Sequence, residues 1–179
     1  KPEKGKDKRG VTGADTKKLL EISEKINSSS DDLNLHKTIV KILNNIKESV
    51  RSGSNIDWST AEALAFGSLL EEGYPVRLVG QDSGRGTFSQ RHSVLRNQLD
   101  NSRYIPLNNI SKNQNQFEFV DSFLSEWAVL GFEYGYSLVE PNTLTLWEAQ
   151  FGDFANGAQV VIDQFIASGE RNWRRASGL

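Results

Sequence analysis

The fold class of the chain is decided by residues 143–166, which read Thr-Leu-Thr-Leu-Trp-Glu-Ala-Gln-Phe-Gly-Asp-Phe-Ala-Asn-Gly-Ala-Gln-Val-Val-Ile-Asp-Gln-Phe-Ile. This stretch predicts a buried strand, a turn that contains a carboxylate, an amide and two phenylalanines, and then an amphipathic helix. Upstream, another helix opens at Ser125-Glu126, directly after a second predicted strand. Open α/β sheets keep their ligands at the carboxyl ends of the strands, so an acidic side chain and two aromatic rings are expected at one edge of a sheet. A flat heteroaromatic cofactor would suit such a site.

Composition limits the classes of protein that remain. A chain of 179 residues, 37% hydrophobic and 25% charged, is long enough for one globular domain with a sizeable core. The formal net charge of −2 favours neither a nucleic-acid nor a membrane partner, and no apolar run approaches the roughly 20 residues of a membrane span. Cysteine is absent, which excludes thiolate chemistry, and His36 and His92 alone argue against a histidine-built metal site. We therefore predict no metal ligand in this chain.

Both ends of the chain read as cut. Residues 1–11 are predicted to be a solvated basic linker, because residues 1–9 carry five basic and two acidic side chains and no core-forming residue. The chain stops at Leu179, just after a predicted helix, where an alternation of strands and helices normally continues into another strand. We expect a piece of a longer polypeptide, with an α/β domain truncated at its C-terminal end.

Residues 12–56 are predicted to form two peripheral helices, because each shows one narrow apolar stripe and abundant lysine elsewhere. Thr12-Gly-Ala-Asp15 resembles a capping box at the start of the first helix. The apolar residues of the two stripes are Leu19, Ile22 and Ile26, and Ile39, Leu43, Ile46 and Val50.

The α/β domain is predicted to cover residues 57–179. Its first helix begins near Asp57, with Ser59-Thr-Ala-Glu62 as a capping box, and stops at Gly73. Residues 75–79 then predict a strand that runs into a polar glycine loop.

Between this strand and the next, residues 95–116 are rich in Asn, Ser and Gln, and we predict a surface excursion anchored only at 104–107. Residues 117–120 alternate like a short strand that leads to the helix at Glu126. This order of elements predicts an α/β fold with a doubly wound, mostly parallel sheet flanked by helices.

Glu126, Phe151 and Phe154 each allow two interpretations. The Glu126 charge either complements the positive end of its helix or serves a ligand. The two phenylalanines are either core anchors or an aromatic wall. Because Gln150 and Asp153 surround them with polar groups, the turn favours a recognition surface.

Residues 81–92 form a third candidate region. Its glycines can shape a loop, Arg85 can pair with Asp82, and His92 can be structural. Histidine is also the side chain whose charge is most easily tuned near neutral pH, and His92 follows the end of a predicted strand. Both roles of His92 stay open.

Three stretches carry a resemblance to a known family. They are residues 80–92 (GQDSGRGTFSQRH), 124–136 (LSEWAVLGFEYGY) and 147–159 (WEAQFGDFANGAQ). Together they resemble the thiamin-diphosphate-dependent first components of the 2-oxoglutarate dehydrogenase family, in consistent order over residues 12–179. The resemblance implies a transketolase-like thiamin-diphosphate-binding fold, with this region as its aminopyrimidine-binding domain.

The resemblance also implies roles for particular residues. Glu126 would hydrogen-bond N1′ of the cofactor pyrimidine, Phe151 and Phe154 would flank that ring, and Gln150 would lie beside the cofactor. His92 would lie near the substrate, where it either holds a carboxylate or moves a proton. Trp127 departs from the pattern, since some members carry a second acid there.

The ligands of the diphosphate and of Mg²⁺ are expected outside this chain, because the Gly-Asp-Gly motif with a following Asn is absent. The resemblance places them in another domain, across a homodimer interface, so this stretch alone is predicted to be inactive.

The implied activity is oxidative decarboxylation of 2-oxoglutarate, with succinyl transfer to the lipoyl group of a partner acyltransferase in the tricarboxylic acid cycle. The enzyme would be cytoplasmic in a bacterium and would lie in the mitochondrial matrix of a eukaryote. Alternatives are a 2-oxoadipate dehydrogenase with the same mechanism and a non-catalytic interaction domain. The basic cluster at 171–175 is short enough to be a solvated helix end rather than a nucleic-acid contact.

Overall fold

The structure is a computed structural model that describes residues 12–28 and 33–179, so the predicted linker 1–11 lies outside the described residues. The helices are α1 (Thr16–Ile26), α2 (Lys37–Ser52), α3 (Trp58–Glu71), α4 (Glu126–Val139), α5 (Gln159–Val161) and α6 (Gly169–Trp173). The strands are β1 (Val76–Gly80), β2 (Leu95–Arg96), β3 (Arg103–Tyr104), β4 (Phe117–Asp121) and β5 (Leu144–Glu148).

Three of these strands form a parallel sheet in the order β4-β1-β5, and helices flank it, which confirms the predicted α/β class. The last residue of β1, Gly80, is in register with Asp121 on one side and Glu148 on the other. A side chain at Gly80 would collide with the Glu148 carbonyl oxygen, so this position requires glycine. The three strands therefore end together, and we call this end of the sheet the carboxyl edge.

The main core lies on one face of the sheet. Val76, Leu78 and Phe117 pack there with Ile22 of α1 and Val50 of α2. The sequence predicts that both N-terminal helices are peripheral, but α1 buries Ile22 completely in this core. One apolar stripe is enough to build a core when the stripe faces a sheet. Helix α4 covers the other face.

Two helix starts differ from the sequence prediction. Asp15, not Thr12, is the N-cap of α1, and its side chain accepts a hydrogen bond from the Lys17 amide. Asp57 is the N-cap of α3, so the predicted capping box at Ser59 and Glu62 is wrong. A Ser/Thr-x-x-Glu spacing occurs inside helices as well as at their ends, and the preceding aspartate takes the cap. Gly73 has a φ of +90°, which confirms the predicted helix stop.

The stretch 95–116 is only partly a surface excursion. Strands β2 and β3 pair antiparallel, and a 3-10 turn follows at Pro106–Asn109. Leu107 is buried in the main core, as the predicted anchor at residues 104–107 requires, and Ile110 is buried there as well, beyond the predicted anchor.

The predicted amphipathic helix after β5 is irregular. The chain passes through a 3-10 segment at Gly152–Ala158, the short α5 and a π segment at Ile162–Ile166. Glycine and asparagine in the first turns disfavour a regular α-helix. Strand β5 is also less buried than predicted, because it lies at an edge of the sheet and buries only Thr145 fully.

Among residues 12–28 and 33–179, no helix has both the length and the apolar character needed to cross a bilayer.

Candidate functional site

The loops that follow β1 and β5 meet at the carboxyl edge, and Arg91 fixes them there. Its Nε donates to Glu62 of α3 at 2.6 Å, its NH1 group donates to Glu148 of β5 at 3.0 Å, and its NH2 group also contacts Glu148. NH1 donates to the Ser83 carbonyl at 2.7 Å as well. A helix, a strand and the loop 81–92 are thus joined through one guanidinium group, which is almost fully buried.

Two further contacts hold the loop. The Gly84 amide donates to the Asp121 carboxylate at the end of β4, at 2.9 Å. Gln150 Nε2 donates to Asp82 Oδ2 at 2.9 Å, which links the loop after β5 to the loop after β1. The predicted pair between Arg85 and Asp82 is not formed, since Arg85 Nε donates to the Gly86 carbonyl instead. Gln150 has taken the place of Arg85 as the partner of Asp82.

Glu126 is the first residue of α4, directly after the N-cap Ser125, whose side chain makes no capping bond. It lies half-buried in a cleft that also contains Gln150 and Trp147. Gly157 lies over it, so closely that a side chain added there would come within 3.4 Å of Glu126 Oε2. Among the described residues, none donates a hydrogen bond to the Glu126 carboxylate. A half-buried carboxylate without a donor is suited to a ligand.

Phe151 and Phe154 are not core anchors. They are 44% and 39% exposed, and their rings meet edge to face with centroids 5.6 Å apart. Phe88, from the loop after β1, extends this group with an edge-to-face contact to Phe151 at 5.7 Å. Exposed aromatic rings that contact one another offer a surface for a planar ligand. The sequence analysis missed Phe88, although a phenylalanine in a polar glycine loop is itself a signal.

His92 lies in a different part of the edge. It is half-buried, has a φ of +48°, and lines two cavities that do not include Glu126. Burial lowers the pKa of its ring below the ordinary value and the positive charge of Arg85 lowers it further, while a hydrogen bond with the Ser89 backbone partly opposes both effects. The ring is therefore held in its neutral form near neutral pH. The structure brings Glu126 and Gln150 into one cleft and leaves His92 outside it.

No cluster of three or more His, Asp or Glu side chains with the arrangement of a metal site occurs within the described part of the chain.

Comparison with known proteins identifies the family. The sequence profile described as "Transketolase, pyrimidine binding domain" matches residues 54–179. The chain belongs to this family. Members of a pyrimidine-binding family are expected to hold the pyrimidine of thiamin diphosphate, and an exposed aromatic group and a carboxylate without a donor both lie on segments at the carboxyl edge of this chain.

Several curated relatives are similar over almost the whole chain. The 2-oxoglutarate dehydrogenase E1 components of Brucella canis, Brucella suis and Brucella abortus are 59% identical to it over 172 residues. The match covers 96% of this chain but only 17% of each relative, so the chain spans about one sixth of their length. The resemblance carried by the three quoted stretches is confirmed.

The described residues fit the pyrimidine half of thiamin diphosphate. Phe151 and Phe154 supply apolar ring surface, and Glu126 supplies an acceptor or donor for a ring nitrogen. Gln150 is held in the same cleft by Asp82, so its position is fixed before any ligand binds. The sequence analysis also missed Arg91. Its carboxylate partners are distant in sequence, so no local pattern predicts its role.

Proposed function

We propose that this chain is the aminopyrimidine-binding part of a thiamin-diphosphate-dependent enzyme. The enzyme would decarboxylate 2-oxoglutarate oxidatively and transfer the succinyl group to the lipoyl arm of a partner acyltransferase in the tricarboxylic acid cycle. One observation carries the proposal: the half-buried Glu126 carboxylate has no donor among the described residues and shares its cleft with the fixed amide of Gln150. The names of the relatives support the choice of 2-oxoglutarate.

Thiamin diphosphate, when bound, would supply a thiazolium carbon that becomes nucleophilic toward the carbonyl of a 2-oxo acid once it has lost its proton. Glu126 would hold the pyrimidine nitrogen N1′ through a shared proton, and this hydrogen bond would favour the basic form of the cofactor's amino group. Phe151 and Phe154 line the ring and exclude water, which strengthens a hydrogen bond to Glu126. Gln150 orients the ring through its remaining hydrogen-bonding capacity.

His92 acts on the substrate rather than on the pyrimidine. A neutral imidazole has one donor and one acceptor nitrogen, so His92 can either hold a substrate carboxylate or move a proton. The lowered pKa of its ring favours the role of proton acceptor near neutral pH, because the neutral form is the one that accepts.

The diphosphate and Mg²⁺ would be bound by another domain of the intact enzyme, across the interface of a homodimer. The enzyme would act in the cytoplasm of a bacterium or in the mitochondrial matrix of a eukaryote.

Calorimetry tests the cofactor. Titration of the intact protein with thiamin diphosphate and Mg²⁺ should give saturable heat, and Glu126→Gln should weaken the binding, because a neutral amide cannot share a proton with N1′ in the same way. A non-catalytic interaction domain would give no heat with the wild-type protein, and that result would overturn the proposal.

Kinetics test the substrate. 2-Oxoadipate is longer than 2-oxoglutarate by one methylene group, a difference of about 1–3 kcal/mol in a fitted pocket. The kcat/KM of the intact enzyme should therefore be higher for 2-oxoglutarate. A higher value for 2-oxoadipate would keep the mechanism and replace the substrate.

A further inference from the structure

A second cavity, of about 330 Å³, lies beyond the β4 side of the carboxyl edge. The start of α2, the loop 84–94 and the β2-β3 ribbon surround it. Its charged and titratable lining residues are His36, Arg85, His92, Arg96, Arg103 and Asp121. Three guanidinium groups thus face one carboxylate, and we call this space the basic cavity. It shares no lining residue with the cleft that contains Glu126.

Arg96 and Arg103 are directly opposite each other in the ribbon, in register across β2 and β3. Like charges in this position repel and destabilise strand pairing. Each strand of the ribbon is only two residues long, so few ladder hydrogen bonds offset the repulsion. An anion bound between the two guanidinium groups would convert this repulsion into attraction.

The guanidinium groups are not neutralised by the described residues. Arg96 NH1 donates to the amide oxygen of Asn101 at 3.2 Å, and Arg85 Nε donates to a backbone carbonyl. Arg103 forms neither an ion pair nor a side-chain hydrogen bond with a described residue. Asp121 is held by the Gly84 amide and the Ser83 hydroxyl through its Oδ1, and among the described residues it forms no ion pair with Arg85, Arg96 or Arg103. The three arginines therefore keep N–H donors that can bind an anion.

The start of α2 adds further donors. His36 is its N-cap, and Nδ1 of His36 accepts a hydrogen bond from the Thr38 amide at 3.3 Å. The neutral ring must then carry its proton on Nε2, which makes that nitrogen a donor. The positive end of the helix dipole reinforces the field, since α2 has 16 residues.

The floor of the basic cavity is apolar. Phe119 packs against the main core and is half-buried, and the half-buried Ile39 and Val94 line the same cavity. A ligand with only a charged group would leave this surface uncovered, whereas a short aliphatic or planar body would cover it.

We propose that the basic cavity binds a small organic anion, with its carboxylate or phosphate group between Arg96 and Arg103 and its apolar body against Ile39 and Phe119. Arginine binds either group bidentately, so the shared chemistry is an oxyanion on an apolar body. This inference does not depend on the proposed cofactor chemistry.

The test is calorimetry on the intact protein without thiamin diphosphate, with glutarate and butyl phosphate as the two probes. Arg96→Gln combined with Arg103→Gln should weaken binding of the preferred probe by about 100-fold, roughly tenfold for each lost charged hydrogen-bond donor. The probe with the larger loss identifies carboxylate or phosphate as the bound group. The control is Arg171→Gln with Arg175→Gln, which also removes two positive charges from exposed positions. Its affinities for glutarate and butyl phosphate should equal those of the wild type.

Three results would overturn the proposal: no binding of either probe to the wild type, wild-type affinity in the Arg96 and Arg103 variant, or an equal loss in the control. Thermal unfolding without ligand checks the fold of the variant, whose Tm should not fall because a like-charge contact has been removed. Glu126→Gln should retain full probe binding, so failure of the proposed cofactor role would be seen separately.

Discussion

Arg77 and Arg91 are two guanidinium groups that each bind two carboxylates, at different places in the sheet. Arg77 lies in the middle of the sheet under α4, where it donates to Glu133 at 2.7 and 2.9 Å and to Glu118 at 2.6 Å. It also stacks over Tyr136, 4.7 Å from the ring centroid. Arg91 lies at the carboxyl edge and joins Glu62 to Glu148.

The partners explain what each network does. Arg77 and both of its carboxylates belong to regular elements, β1, β4 and α4, so that network fixes a helix on a sheet. Arg91 belongs to a loop, and one of its partners, Glu148, also lines the cleft of Glu126. We infer that the first network determines stability and that the second determines the shape of the site. Buried charged networks can serve either purpose, and their position decides which.

Loss of Arg77 should have the largest effect on stability. Arg77→Ala leaves the carboxylate of Glu133, which is only 1% exposed, without its partner. We expect the free energy of unfolding to fall by about 3–5 kcal/mol, measured by urea denaturation. The double variant Arg77→Met with Glu133→Leu should recover most of this loss, since no buried charge remains. A single variant as stable as the wild type would show that the network contributes nothing.

Loss of Arg91 should lower both the stability of the protein and its affinity for thiamin diphosphate. Glu62 and Glu148 are partly exposed and can be solvated, so Arg91→Gln should cost less, about 1.5–3 kcal/mol. The affinity for thiamin diphosphate should fall in this variant, because the loop 81–92 and Glu148 lose their common anchor. Calorimetry should be done at a temperature where both variants are folded. The variant Arg77→Met with Glu133→Leu should then lose less affinity for thiamin diphosphate than Arg91→Gln loses. The reverse order would contradict the division of roles.

Loss of Asp57 should have the smallest effect on stability, because its carboxylate is exposed and caps only helix α3. Burial alone would raise the pKa of Asp57, but hydrogen bonds from Thr60 and Ser59 lower it below its ordinary value. Because the folded-state pKa is the lower one, the stabilisation is present above the ordinary aspartate pKa and is lost as the pH falls through the folded-state value. Asp57→Ala should cost about 1 kcal/mol at pH 7 and much less at pH 2. Denaturation curves at both pH values check this, and an equal cost at both would contradict it.

The sequence was sufficient to predict the parallel sheet and the position of Glu126 at the start of α4, whereas the role of Glu126 stays a prediction. Parallel strands end together, so a carboxylate at the start of α4 and rings after β5 had to reach the same edge. Phe151 and Phe154 were recognisable because polar residues surround them.

Other features depended on contacts that local patterns do not contain. Arg91 binds residues 29 and 57 positions away. The predicted Arg85–Asp82 pair is not formed, and Asp82 instead accepts a hydrogen bond from Gln150, 68 positions away. The irregular helix after β5 was also missed, since apolar spacing does not distinguish α from 3-10 and π turns.

The most direct test of the central claim is hydrogen–deuterium exchange at C2 of thiamin diphosphate bound to the intact protein. With saturating cofactor, Glu126→Gln should slow the exchange by at least about 100-fold relative to the wild type. Glu140→Gln, a change of a half-buried glutamate at the opposite end of α4, should leave the rate unaltered. Wild-type exchange in Glu126→Gln would contradict the account, because the half-buried carboxylate at the carboxyl edge would then have no part in activating the cofactor.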